Sequence, residues 1–211
     1  MSSNKELVEK LVNSGVLRTE SIIRAFRKVD RKDFCLDEYK GLAYMDNPLP
    51  ILAKQTISQP TTVAIMTEAI QPSKNNKVLE IGAGSGYQAA ILSEIVKPGK
   101  VYTIERIKEL ADFAKRNLKK FDNVKVIHGD GSKGLEDKAP FDIIIITAAS
   151  PEVPEVLKQQ LNVDGKMIVP VGKNSFNQKM KLIKRNKDRF ETIDLGEFLF
   201  VPLIGKYGFA E

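Results

Sequence analysis

The 211-residue chain has one cysteine, one histidine and no tryptophan. With Cys35 alone there is no internal disulfide framework and no cysteine-based zinc site. With His128 alone there is no triad or metal centre built on several histidines. No secretory apolar segment opens the sequence, and no apolar run approaches a membrane span. Internal repeats and low-complexity linkers are missing too. The length fits one domain with an appendage, enough to bury a core without covalent staples. These absences set the expectation of a soluble, cytoplasmic protein.

Positive charge is present in modest excess, 33 Lys and Arg against 27 Asp and Glu. A net charge of +6 permits nucleic-acid binding but does not establish it. Much of the excess lies in residues 173–189, with few aromatics between the charges. That pattern reads as a solvated hairpin face rather than a nucleic-acid groove.

The stretch that organises the rest is Val78-Leu79-Glu80-Ile81-Gly82-Ala83-Gly84-Ser85-Gly86-Tyr87. Val78 to Ile81 is a short apolar run and reads as a buried strand. Gly82, Gly84 and Gly86 allow a sharp turn and close approach to a ligand. Tyr87 to Val96 reads as a helix with Ala89, Ala90, Ile91 and Ile95 on its buried face. Strand, glycine loop and helix together offer free N–H groups at a helix start. A dinucleotide fingerprint spaces its glycines G-x-G-x-x-G. Here the third glycine comes early, and no Lys-Ser or Lys-Thr pair follows, so a P-loop is excluded. Glu80, just ahead of Gly82, suits a cationic ligand such as a sulfonium or an amine. A tight turn with no ligand would use the same glycines.

Before this stretch, residues 2–14 and the run from Thr19 to Val29 read as two helices that form a small cap. Ser3 or Asn4 caps the first. Residues 41–59 are polar and punctuated by proline, which predicts a long irregular loop. Long ordered loops in compact domains are usually functional. Pro60 then starts a helix running to Ile70, with Pro in the favoured first turn. Ser58 falls at or just before its cap, so its hydroxyl is either an ordinary cap or a group aimed at a carboxylate. Cys35 reads as a small packed residue, since no base partner is identifiable.

After Lys77 strands and helices alternate. Residues 101–105 form a strand ending in Glu105, about 20 residues past the glycine loop, where an acid commonly takes ribose hydroxyls. The same acid could simply charge the start of the helix over 107–119. Residues 124–127 form a strand leading to His128-Gly129-Asp130-Gly131. Asp130 is placed for an adenine amino group, or is a turn aspartate; His128 reads as a local hydrogen-bonding residue. Phe141 to Thr147 reads as a strand buried on both faces. A helix opened by Pro151 and Pro154 and ended before Gly165 follows, then a strand over 167–171. Residues 180–185 and 189–195 read as a hairpin around Asn186, Lys187 and Asp188. The expected fold is an α/β sandwich, mostly parallel, with an antiparallel end. Glu80, Glu105, Asp130 and Thr147 all fall at carboxyl ends of strands, where such sheets bind ligands.

The stretch Glu80–Gly86 resembles the cofactor loop of Rossmann-like S-adenosylmethionine methyltransferases. Tyr44–Pro50 and Gln55-Thr56-Ile57-Ser58-Gln59-Pro60 resemble segments of protein-L-isoaspartate O-methyltransferases. So do Tyr102–Arg106, Gly129-Asp130-Gly131, Ala139–Asp142, Ile168–Gly172 and Val201-Pro202-Leu203. The resemblance runs from about Val29 onward. One departure is Leu52-Ala53-Lys54, where the family often has glycines. The resemblance implies a Rossmann-like three-layer sandwich with residues 1–74 as helical cap and active-site loop and 75–211 as cofactor-binding core. It implies S-adenosyl-L-methionine as cofactor, held by Glu80, Gly82, Gly84, Ser85, Gly86, Glu105, Arg106, Asp130, Gly131 and Thr147. It implies methylation of isoaspartyl proteins and peptides, with no nucleic-acid or membrane partner. Ser58 would orient the carboxylate, and Gln55, Thr56, Ile57, Val201, Pro202 and Leu203 would line the peptide's path. Methylases of amino groups on bases usually carry a proline–aromatic motif where this chain has Thr147-Ala148-Ala149-Ser150. A dehydrogenase conflicts with the glycine spacing, and a pure binding module leaves 55–60 unexplained.

Overall fold

The structure, a computed structural model, describes residues 2–174, 176–187 and 189–210. Helices α1 (Asn4–Asn13) and α2 (Glu20–Lys28) open the chain. Ser3 caps α1 by accepting a bond from the Glu6 N–H. Leu7, Leu11, Ile22 and Phe26 bury their apolar faces in the main core. Thr19 precedes α2 but donates its hydroxyl to Glu68 at 2.8 Å, tying the cap to the next helix, α3 (Pro60–Ile70).

The segment before α3 is more ordered than its composition suggests. A 3-10 turn over Asp37–Leu42 leads into two antiparallel strands, β1 (Leu49–Pro50) and β2 (Thr56–Ile57). Leu49 and Ile57 pair across them and are both buried. A pairing this short has no room for a period-2 signal, so the sequence showed only its prolines and polar residues.

The remaining elements are β3 (Lys77–Ile81), α4 (Tyr87–Val96), β4 (Lys100–Glu105), α5 (Lys108–Asn117), β5 (Val124–His128), β6 (Phe141–Ile146), α6 (Glu155–Lys158), β7 (Leu161–Val171), β8 (Gln178–Asn186) and β9 (Arg189–Phe198). They build a seven-stranded sheet ordered β5-β4-β3-β6-β7-β8-β9. The first five strands in that order are parallel, and β8 and β9 continue antiparallel. This is the Rossmann-like arrangement expected. The chain moves outward from β3 to β5, then returns to the far side of β3 with β6. The connections therefore diverge above β3 and β6 and leave a crevice there.

Strand β6 shows why both faces are covered. Ile143 and Ile145 face the layer of α1 to α5, while Ile144 and Ile146 face a second cluster around Phe141, Leu157 and Leu161. That second layer is thin. The helix expected after Pro151 and Pro154 is a single turn, α6, because Leu161 already pairs with Phe141 as the start of an eleven-residue strand. On the hairpin, Lys179 and Lys181 share Asp194 at 3.4 and 2.9 Å, and Lys184 reaches Glu191 at 4.0 Å. Three lysines of the basic run are thus matched by acids across the strands; Asp188 of its turn lies outside the described residues. Among the described residues no helix is long and apolar enough to cross a membrane.

Candidate active site

Three fully separate stretches of chain meet over the crevice: the glycine loop, the β2 segment and residues 201–204. The cleft between them holds about 1070 Å³, part of it open to solvent. Its floor is the loop after β3. Gly82 has φ of 95°, and a Cβ there would stand 2.4 Å from Thr147 Oγ1. Thr147 donates that hydroxyl to the Gly82 carbonyl at 2.7 Å, so it buttresses the loop from the end of β6. Gly86 has φ of 90° and precedes α4 without any side-chain cap. The first N–H groups of α4 are therefore left without a capping side chain. Gly86 itself does not line the cleft; it lets the chain turn against Leu118, which a Cβ would meet at 2.9 Å.

The acids behave differently from one another. Glu105 accepts from the Gly84 N–H and the Ile107 N–H, each at 3.0 Å. It holds the glycine loop and starts α5 at once, and it still faces the cleft. Glu80 is fully buried and takes a short hydrogen bond from the Thr103 hydroxyl. Its other oxygen, Oε1, has no partner among the described residues. Burial, opposed by Thr103 and reinforced by nearby Glu105, pushes its carboxyl up to about 8. Burial of this kind favours the neutral acid over the bare carboxylate.

Asp130 takes the structural alternative. Its oxygens accept from the Ser132 N–H at 3.0 Å, the Ser132 hydroxyl at 2.7 Å and the Lys206 N–H at 3.0 Å. Burial opposes ionisation, but these bonds prevail and hold the carboxyl below its usual range. The side chain is outside the cleft lining; only Gly131 beside it lines the wall. These are the bonds of a turn aspartate. His128 donates locally to the Arg106 carbonyl, 3.1 Å away, and Cys35 is buried with its thiol pushed up by desolvation.

Comparison with known proteins shows the family. The sequence pattern of the protein-L-isoaspartate(D-aspartate) O-methyltransferase (PCMT) family matches residues 2–208. The chain belongs to that family. A protein-L-isoaspartate O-methyltransferase of Hyperthermus butylicus is 47% identical over 220 residues, covering 99% of this chain and 91% of its own. One from Methanopyrus kandleri is 48% identical over 214 residues, covering 99% and 94%. A Plasmodium falciparum structure described as a beta-aspartate methyltransferase (PCMT), solved with S-adenosyl-L-homocysteine, gives a TM-score of 0.84 at 25% identity, covering 97% and 99%. A further protein-L-isoaspartate O-methyltransferase structure gives 0.89 at 32% identity, covering 97% of this chain and 67% of its own.

The segments whose sequence resembles the family's form the upper walls. Gln55, Thr56, Ile57 and Ser58 line one side, and Val201, Pro202, Leu203 and Ile204 line another. Residues 201–203 are pinned by paired bonds to Ala149: its N–H donates to the Val201 carbonyl at 2.8 Å and its carbonyl accepts from the Leu203 N–H at 2.7 Å. Ser58 does not cap α3. The cap position is Gln59, and the N–H of Thr61 is instead taken by Asp46 at 2.9 Å. Ser85 and Arg106 also line the cleft. Sequence reasoning missed Met66, Gln88, Ile107, Leu110 and Ala148 in the lining. These are ordinary apolar or amide residues, and only the topology says which of them face a crevice.

Proposed function

We propose that this chain transfers a methyl group from S-adenosyl-L-methionine to the α-carboxyl of L-isoaspartyl residues in damaged proteins and peptides. The observation that carries the reading is the single cleft shared by the glycine loop with its acids and by the Gln55–Ser58 segment. The residues fit the cofactor. An unpartnered buried carboxylate oxygen on Glu80 suits a cationic group, and the bare N–H groups at the start of α4 suit polar atoms. Gly82, Gly84, Ser85, Glu105, Arg106, Gly131 and Thr147 would surround it. When bound, the cofactor supplies a methyl on sulfonium, which the attacking carboxylate oxygen takes while the sulfur leaves as a thioether.

The protein's part is alignment and exclusion of water. A carboxyl with a pKa of about 4 is already ionised at neutral pH, so no general base is required. Ser58 donates a hydrogen bond to one carboxylate oxygen and leaves the other free to attack. Val63, Met66, Ile104, Leu110 and Leu203 give the cleft apolar walls. Water stabilises the separated anion and cation more than the charge-neutralising transition state, so such walls favour reaction. Alignment alone supplies several kcal/mol. The resulting methyl ester closes to a succinimide more readily than the free acid, because methoxide is the better leaving group, and hydrolysis then returns part of the material to aspartate.

Residues 1–74 act with residues 75–211 as one catalytic unit, working in the cytoplasm on polypeptide rather than nucleic acid. Labelled methyl transfer to an isoaspartyl peptide tests all of this, with the aspartyl peptide and tRNA as controls. Label should appear on the isoaspartyl peptide alone; equal labelling of both peptides would overturn the reading.

A further inference from the structure

Arg31 is fully buried, yet no carboxylate lies within ion-pair distance of it among the described residues. Its guanidinium is surrounded by carbonyls instead. One terminal nitrogen, Nη1, donates to Ala43 at 2.7 Å and Met45 at 3.3 Å. The other, Nη2, donates to Asn47 at 2.9 Å and to the carbonyl of Ser58 itself at 3.0 Å. Nε has no partner. A buried guanidinium without a counter-ion is costly, and neutral residues could fill the same space more cheaply. Such a fork gives what packing does not, a fixed geometry between four carbonyls on two separate segments.

Those two segments bracket Ser58. Arg31 holds its carbonyl from below. Asp46, on the loop whose carbonyls Arg31 also holds, receives the Thr61 N–H at 2.9 Å and the Thr61 hydroxyl at 2.7 Å. Ser58 lies between these anchors with no anchor of its own side chain. Its backbone, and hence the direction of its hydroxyl, follows from them.

We infer that Arg31 is a positioning residue for methyl transfer, whose carbonyl fork sets the Ser58 hydroxyl against the substrate carboxylate. The inference rests on the proposed role of Ser58. A lysine at the same position keeps the charge but has one nitrogen with three donors, so it cannot make the four carbonyl bonds that Nη1 and Nη2 make between them. A role for charge alone would survive Arg31→Lys; a role for geometry would not.

The test is a double-variant cycle on Arg31→Lys, Arg31→Gln and Ser58→Ala, with kcat expressed per site that binds S-adenosyl-L-homocysteine. Unfolded molecules then drop out of the rate. Both Arg31 variants should lower kcat by about tenfold or more, with S-adenosyl-L-homocysteine affinity changed less than about threefold. Adding either to Ser58→Ala should slow that variant by no more than about threefold, because the hydroxyl to be aimed is gone. If Ser58→Ala slows turnover but Arg31→Lys does not, the fork is structural and the inference fails while the Ser58 role stands. Full additivity in the double variant means Arg31 acts elsewhere and also overturns it. Normal turnover in Ser58→Ala removes the role of Ser58 and the inference with it.

Discussion

Ser58 sits one residue ahead of the cap of α3, so the helix does not depend on its hydroxyl. Ser58→Ala should therefore cost less than the ~1 kcal/mol typical of a lost cap, read from thermal melts. The same variant, and Ser58→Gly, should lose roughly 10²-fold in kcat, as when one well-placed donor is removed. Glu105 differs, because two backbone N–H groups lean on it. Glu105→Ala should weaken S-adenosyl-L-homocysteine binding at least tenfold, about 1.4 kcal/mol, by calorimetry. Glu80 sets a pH dependence. Its carboxyl rises from 4.5 to about 8 on folding. The folded protein therefore holds more protons than the unfolded chain across that window, and stability falls as pH rises through it. Carboxyls held low, such as Asp46 and Asp130, act at more acid pH. Urea midpoints of the ligand-free protein should drop from pH 5 to pH 8 relative to Glu80→Gln; a constant gap between the two would contradict the assignment.

At the scale of elements, α3 borrows its cap from a different loop. Asp46→Ala should cost about 1 kcal/mol and lower Tm, since both the Thr61 bond and the favourable charge at the helix start are lost. The tip of the β1–β2 hairpin tells a related story. Ala53 and Lys54 have φ of 53° and 57°. The loop keeps a left-handed backbone without the residue that adopts it freely. Ala53→Gly should leave the loop shape intact and raise stability by up to ~1 kcal/mol in denaturant titration, the entropy of glycine offsetting part of the relief. The long elements were legible because their periodicity repeats: residues 87–96, 100–105 and 141–146 fall where the pattern puts them. Strands β1 and β2 were not, having two residues each. Asp130 stayed between two readings for a different reason. Its neighbours in sequence suggest a ligand, but its decisive partner, Lys206, is 76 residues away. Arg31 gave no signal at all, since a lone arginine in a charged segment reads as surface until its carbonyl partners are seen.

For the molecule as a whole, the sheet order fixes where a ligand goes, and the alternation of strands and helices made that order readable in outline. What closes the cleft comes from outside the sheet. Residues 201–204 wall it, and the chain just beyond them is clasped by Asp130 and by the Ser132 hydroxyl, which accepts from Tyr207 at 3.0 Å. Asp130→Ala should loosen this clasp, speeding S-adenosyl-L-homocysteine release in stopped-flow while far-ultraviolet circular dichroism stays unchanged. The clasp also has a meaning in chain order. Every strand of the seven-stranded sheet precedes residue 199, whereas residues 201–204 and the segment held by Asp130 and Ser132 follow it. A cut after Phe198 would therefore spare every strand of that sheet and remove one wall of the cleft.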